Sequence, residues 1–236
     1  MQYLLKAYIL SPQDPNASIY RDRWIQAVES TLRHLAVRGT PGLGKKLGKI
    51  YLSEWMNGSP KNDMGHLACF AAGNFLLGGK ILDRPDITKL GLDIVDTCHH
   101  TYISSTVGVG PESFCWIPES KAQDADLPRW GDHREQLENS GFWISDARYM
   151  LRPETVESYF YAYRITGNPL YQEWAWDAFN SIVNATEVKF GYAEVLDVSY
   201  PPGDGNHNDK TESFWGGELT LLLFFLKVLG GGYVAA

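Results

Sequence analysis

Helical periods arrive in adjacent couples along this 236-residue chain, and that coupling limits the folds open to it. His66 to Leu77 is apolar nearly all round, with Cys69, Phe70, Phe75 and Leu76, so its helix is expected to be buried on more than one side. Asp86 is suited to cap a second helix, Ile87 to Tyr102. Pro153 to Thr166 forms another, stopped by Gly167, and Pro169 opens its neighbour, which runs to about Val183. Tyr20 to Val37 is amphipathic, with Trp24, Ala27, Val28, Leu32 and Leu35 at three- and four-residue steps. Residues 1–10 are helical until Pro12 and Pro15 break them. Asp209 starts a last helix through about Leu229. Short strands are expected at Lys49–Glu54 and Gly191–Val198. Residues 39–48, 105–140 and 203–208 read as loops. Repeated antiparallel helical pairs mean an all-α chain, either an α/α barrel or a solenoid. The pairs do not visibly repeat one another, which favours the barrel, here a partial one with short β-hairpins.

Composition narrows the partners. A net charge of −7 argues against nucleic acid, which wants a basic face. The longest apolar run, Leu219 to Leu229, is about half of what spans a bilayer, so no transmembrane segment is expected. Aromatic residues make up 13% of the chain, eight of them Trp. They serve a helical core or the apolar faces of sugars, and composition does not separate the two. Cys69, Cys98 and Cys115 permit one disulfide plus one free thiol. Sequons at Asn16, Asn57 and Asn184 fit the secretory pathway, although Pro60 weakens the second. The N-terminal stretch lacks the features of a signal peptide in series.

The densest chemistry lies in Leu151-Arg152-Pro153-Glu154-Thr155-Val156-Glu157-Ser158. Proline belongs in a helix's first turn, so Glu154 and Glu157 open this helix and share one face. The helix N-terminus favours their charge. Glu112 follows a Gly-Val-Gly-Pro turn, and Glu212 and Glu218 sit near the start of the last helix. If alternate helices point the same way, these acids gather at one end. Convergent carboxylates are a glycosidase arrangement, in which two acids perform opposite proton transfers. Taken singly, each acid is also an ordinary helix-start residue, His66 an ordinary core histidine and Phe214 an ordinary core aromatic.

Five blocks together resemble the inverting class I α-1,2-mannosidases of glycoside hydrolase family 47, nearest their secreted fungal branch. They are Tyr3-Leu-Leu-Lys6, Gly65-His-Leu-Ala-Cys-Phe70, Gly108-Val-Gly-Pro-Glu112, Leu151 to Ser158 continuing to Tyr163-Arg-Ile-Thr-Gly167, and Glu212-Ser-Phe-Trp-Gly-Gly-Glu218. The resemblance implies a seven-hairpin α/α toroid that trims terminal α-1,2-linked mannose from high-mannose N-glycans with the help of Ca2+. It implies Glu154 as the base activating the attacking water. Arg152, His66, Phe214 and Glu218 would hold the reacting sugar, with Phe214 as an apolar platform. Glu112 and Glu157 would line the pocket floor. Glu112, Glu154, Glu157 and Glu218 would hold waters on the calcium, without direct metal ligands among them. Cys69 and Cys98 would form the family's disulfide, leaving Cys115 free.

The resemblance covers residues 1–229, corresponding to the second half of the family's catalytic domain, and residues 230–236 form an atypical tail. The family's general acid, a catalytic Asp and the calcium-binding Thr have no counterpart in this chain. The chain alone is therefore expected to hydrolyse no mannoside and to bind calcium weakly, with the other barrel half as a candidate partner. The alternative is a lectin-like binder of mannose-rich glycans.

Overall fold

The computed structural model describes residues 1–122, 133–203 and 205–219, the side chains of Glu218 and Leu219 excepted. The body is helical. Helix α1 spans Gln2–Leu10 and packs on α2, Ala17–His34; α3, Phe70–Ile81, packs on α4, Pro85–Ile103. After the short α5, Arg134–Ser140, comes the pair α6, Glu154–Thr166, and α7, Leu170–Thr186. The expected couples are thus present: α3 with α4, α6 with α7.

Between the couples, α3 lies against α6. Their residues meet in step. Glu154 lies beside His66, Ser158 Oγ donates to the Cys69 carbonyl at 2.7 Å, and the Gly73 amide donates to Ser158 Oγ at 3.2 Å. The helices therefore run in the same sense, with their N-termini side by side. Both flanks of α3 are buried: Ala72, Phe75 and Leu76 are fully enclosed, and so are Ile87, Ile94 and Cys98 of α4 and Val156, Tyr159 and Ala162 of α6. The bare backbone of Gly78 receives the indole of Trp24 from α2, whose Nε1 donates to Asn74 Oδ1 at 2.9 Å.

Short strands trim the helical body. β1, Ala36–Arg38, pairs with β2, Ile50–Leu52; β3, Glu54–Met56, pairs with β4, Ser59–Lys61. β5, Asp63–Gly65, β6, Ser113–Cys115, and β7, Trp143–Asp146, form an antiparallel sheet in that order. β8, Glu187–Val188, pairs with β9, Gly191–Tyr192, and β10, Glu194–Val195, with β11, His207–Asn208.

Four readings of the sequence need correction. Residues 105–140 are not all loop: β6 and α5 lie within them. A three-residue strand whose partners are about thirty to fifty positions away in sequence leaves no local period to detect. The apolar run from His66 opens as a 3₁₀ turn, His66–Cys69, before α3. Asp86 is not the cap of α4; that helix starts at Pro85, and Asp86 sits in its first turn, hydrogen-bonded to Arg84. The expected last helix from Asp209 begins later, with a π-helical turn at Trp215–Leu219, and its continuation lies outside the described residues, as does the tail 230–236.

Candidate active site

Two helix mouths and one sheet edge build the site. β5 ends at Gly65, and the next residue, His66, donates its amide to the Glu112 carbonyl at 2.8 Å. The Glu112 amide in turn donates to the Arg148 carbonyl at 2.6 Å. The sheet thus sets Glu112 next to the His66 turn, although 46 positions separate them in sequence. Gly110 lets the preceding turn lie flat on Tyr102: a Cβ there would fall 2.6 Å from the tyrosine ring.

From the other side, the chain enters α6 through Leu151, which is fully buried with φ of 57°. A left-handed leucine is costly, of order 1–3 kcal/mol, and persists where its surroundings hold it. The Tyr149 hydroxyl donates to the Arg152 carbonyl at 3.0 Å and braces this corner. Arg152 then reaches Glu112 with two parallel hydrogen bonds, Nε to Oε2 and Nη2 to Oε1, each 2.7 Å. Such a bidentate pair is among the stronger side-chain contacts.

Beneath it lies a second, differently made pair. His66 is 2% exposed, and its Nδ1 stands 3.6 Å from Glu154 Oε2, beyond hydrogen-bond range. Neither atom has a hydrogen-bond partner. The other ring nitrogen, Nε2, is 2.8 Å from the Tyr102 hydroxyl and 3.5 Å from Thr155 Oγ1. Burial pushes the Glu154 carboxyl up more than any other single influence. The nearby His66, the residue's own backbone amide at the helix mouth and Arg152 together outweigh it, so the carboxyl ends below its ordinary value. Glu154 is thus a buried, ionised carboxylate with an acceptor to spare.

Of the seven expected site residues, His66, Glu112, Arg152 and Glu154 converge here. Glu157, one turn along α6, is half-buried beside Tyr161, whose phenol is pushed up by burial and by that charge. Phe214 is half-buried and packs against the core. Glu218 has its backbone in the π-helical turn, and its side chain lies outside those described. Glu212 acts electrostatically on Arg152, the last of its influences. Cys69 and Cys98 are bridged, directly behind the His66 turn, and Cys115 is free. Reading the sequence missed Thr155, Tyr102, Tyr149 and the strained Leu151. Thr155 lies inside the dense block, whereas Tyr102 and Tyr149 carry no signal beyond being aromatic.

A family model described as "Glycosyl hydrolase family 47" matches residues 2–226. The chain belongs to glycosyl hydrolase family 47. It is 40% identical over 213 residues to the "probable mannosyl-oligosaccharide alpha-1,2-mannosidase 1B" of Aspergillus flavus, covering 90% of this chain and 39% of that protein. It is 41% identical over 217 residues to the "mannosyl-oligosaccharide alpha-1,2-mannosidase" of Coccidioides posadasii, covering 90% and 38%. Among solved structures it superposes on an "alpha-1,2-mannosidase from Trichoderma reesei" with a TM-score of 0.84 and 32% identity, over 95% of this chain and 44% of that one. The chain therefore has the fold of part of the family's α/α barrel. The chain spans about two fifths of the length of the curated relatives it matches.

Calcium can be tested against the residues on hand. Among the described residues, no group of three His, Cys, Asp or Glu side chains is spaced to hold a metal ion. Both oxygens of Glu112 are taken by Arg152. The described side chains do not by themselves make a coordination site.

Proposed function

We propose that this site serves the hydrolysis of terminal α-1,2-linked mannose from high-mannose N-glycans, with inversion at the anomeric carbon. The observation that carries the reading is Glu154: a buried carboxylate, held ionised at a helix mouth, with one oxygen lacking a hydrogen bond. In its proposed role Glu154 takes a proton from water, whose oxygen attacks the anomeric carbon from the face opposite the leaving oxygen. The C–O bond to the leaving sugar breaks, and that oxygen must be protonated by a second acid roughly 6.5–9.5 Å from the base. No described residue is assigned that role, since Glu112 is committed to Arg152.

Arg152 is proposed to meet the hydroxyls of the reacting mannose and Phe214 its apolar face, while His66, expected from the resemblance to hold the same sugar, acts from behind Glu154 with its ring nitrogens turned to Tyr102 and Glu154. Glu112 acts by fixing Arg152. Glu157 and Glu218 are proposed to extend the acidic floor toward a calcium-bound water shell, as the family resemblance implies. The names of the fungal relatives support the substrate class, and the disulfide supports passage through an oxidising, secretory compartment. No described helix is long and apolar enough to cross a membrane. No described feature favours the alternative of a glycan binder without catalysis.

The test is an oligosaccharide ending in α-1,2-mannose, followed by NMR with calcium present. The sugar is expected to bind in wild type, and wherever mannose is released the β-anomer should appear first. Glu154→Gln should keep binding and stop release. First appearance of α-mannose, full release by Glu154→Gln, or no binding at all would each overturn the reading.

A further inference from the structure

We propose that Tyr102 is a positioning residue: its hydroxyl donates to His66 Nε2 and thereby fixes the imidazole as the Nδ1–H tautomer, aimed at Glu154. Tyr102 lies at the end of α4 and is 2% exposed. The assignment follows from where the hydrogens around Tyr102 are committed; its hydroxyl also interacts with Tyr149 and Thr155. Tyr149 has one hydroxyl hydrogen, and it is committed to the Arg152 carbonyl, which can only accept. Tyr149 therefore offers Tyr102 an oxygen and no proton.

Tyr102 keeps its own hydrogen, and His66 Nε2 stands 2.8 Å away as an acceptor for it. A neutral imidazole carries one N–H. With Nε2 accepting, that hydrogen sits on Nδ1, 3.6 Å from Glu154 Oε2. The opposite tautomer would set a bare nitrogen lone pair against a buried carboxylate oxygen and leave both without a donor. Thr155 Oγ1, at 3.5 Å from Nε2, is too far to make the same choice. The two atoms that lack partners, Nδ1 and Oε2, face each other. A shift of about half an ångström would join them, as when a substrate tightens hydrogen bonds that are long in the empty site. Tyr102 would then orient the base through His66 without touching the sugar.

The inference rests on the mannosidase reading only for its kinetic consequence, so the decisive measurement is spectroscopic. The chain is labelled with ¹⁵N in its histidine rings, and the His66 signals are assigned by their loss in His66→Gln. Wild type should show a protonated Nδ1 and a bare Nε2. Tyr102→Phe keeps the ring that fills the site and removes the hydroxyl; it should lose the Nδ1–H tautomer as the dominant form.

An Nε2–H ring or a doubly protonated ring in wild type would overturn the proposal, even if Tyr102→Phe failed to fold. So would an unchanged spectrum in folded Tyr102→Phe. Where turnover is measurable, Tyr102→Phe should lower kcat on the order of 10- to 100-fold, the cost of a misplaced base, with KM within about twofold. Absence of glycan binding in wild type would fault the mannosidase reading while leaving the tautomer result to stand or fall by itself.

Discussion

Two side-chain pairs share this site, one ionic and one between an imidazole and a carboxylate, and they are built on opposite plans. At the rim, Arg152 and Glu112 match two donors to two acceptors at 2.7 Å, each with 19% of its side chain exposed. Beneath it, His66 and Glu154 are more deeply buried, at 2% and 13%, and stop at 3.6 Å. The rim is electrostatically complete. The floor keeps an acceptor on Glu154 and a ring nitrogen on His66 without partners. Burying such atoms costs on the order of 1–3 kcal/mol each, a cost that fits a place where a ligand or water completes the bonding. The two plans differ in what they leave over: the rim pair uses up both of its carboxylate oxygens, and the floor pair keeps one oxygen and one ring nitrogen free of hydrogen bonds.

The floor stays in place because a covalent bond stands behind it, and removing that bond is the largest expected effect. Cys69 closes the His66 turn and is tied to Cys98 of α4 across 29 residues. A loop of that length is worth about 3–4 kcal/mol in the chain-entropy account. Cys69→Ala with Cys98→Ala should lower Tm by roughly 10 °C in a chain this size. Calorimetry checks the shift. If the comparison is right, the floor contacts at His66 loosen in the same variant while the rim pair persists.

The rim comes next. Glu112→Ala strands a half-buried guanidinium, and the expected loss is about 2–3 kcal/mol, below the value for a fully buried pair because water still reaches both groups. Glu112→Ala combined with Arg152→Met should recover part of it. Denaturant melts of the two variants decide the matter. Equal losses for the single and double variants would mean that the pair is not the unit described here.

The floor should reveal itself in titration more than in stability. The Glu154 carboxyl lies below the usual 4.5 even though burial, its largest single influence, pushes it up. A depressed folded value means that the stabilising contribution is present above the unfolded value and is lost as pH falls through the folded one. A ¹³C titration of the Glu154 carboxyl should therefore have its midpoint below 4.5 in wild type. In His66→Gln the midpoint should rise, because burial remains while a main opposing influence is gone. An unchanged midpoint in that variant would break the link between the two residues.

How much of this was legible in the chain depends on how local each cause is. α6 is bracketed by Pro153 and Gly167, so its limits could be read almost to the residue. The helical couples were legible from their apolar periods. The turn at His66–Cys69 was not, because four residues cannot separate a period of 3.0 from 3.6. β6 was hidden for a similar reason, being three residues long. The convergence of Glu112 on Arg152 could be anticipated only if alternate helices point the same way, and the sheet that performs it was invisible. The disulfide and the individual roles came through family resemblance. Tyr102 and Tyr149 act through geometry alone, one at a helix end and one before a strained leucine, and no sequence pattern marks them.

The smallest effect separates fold from site most cleanly. Gly167 ends α6 with φ of 70°, and a Cβ built there would meet nothing within 4 Å. Substitution by alanine thus imposes a backbone penalty with no steric one, about 1 kcal/mol. It does so at the end of α6 opposite Glu154, thirteen residues along the chain from it. Gly167→Ala should lower Tm by about 2–4 °C while leaving the Glu154 titration and the His66 ring spectrum as in wild type. Should either of them move with so small and distant a change, the unfinished floor would be a consequence of marginal helix stability, and its contrast with the rim would lose its meaning.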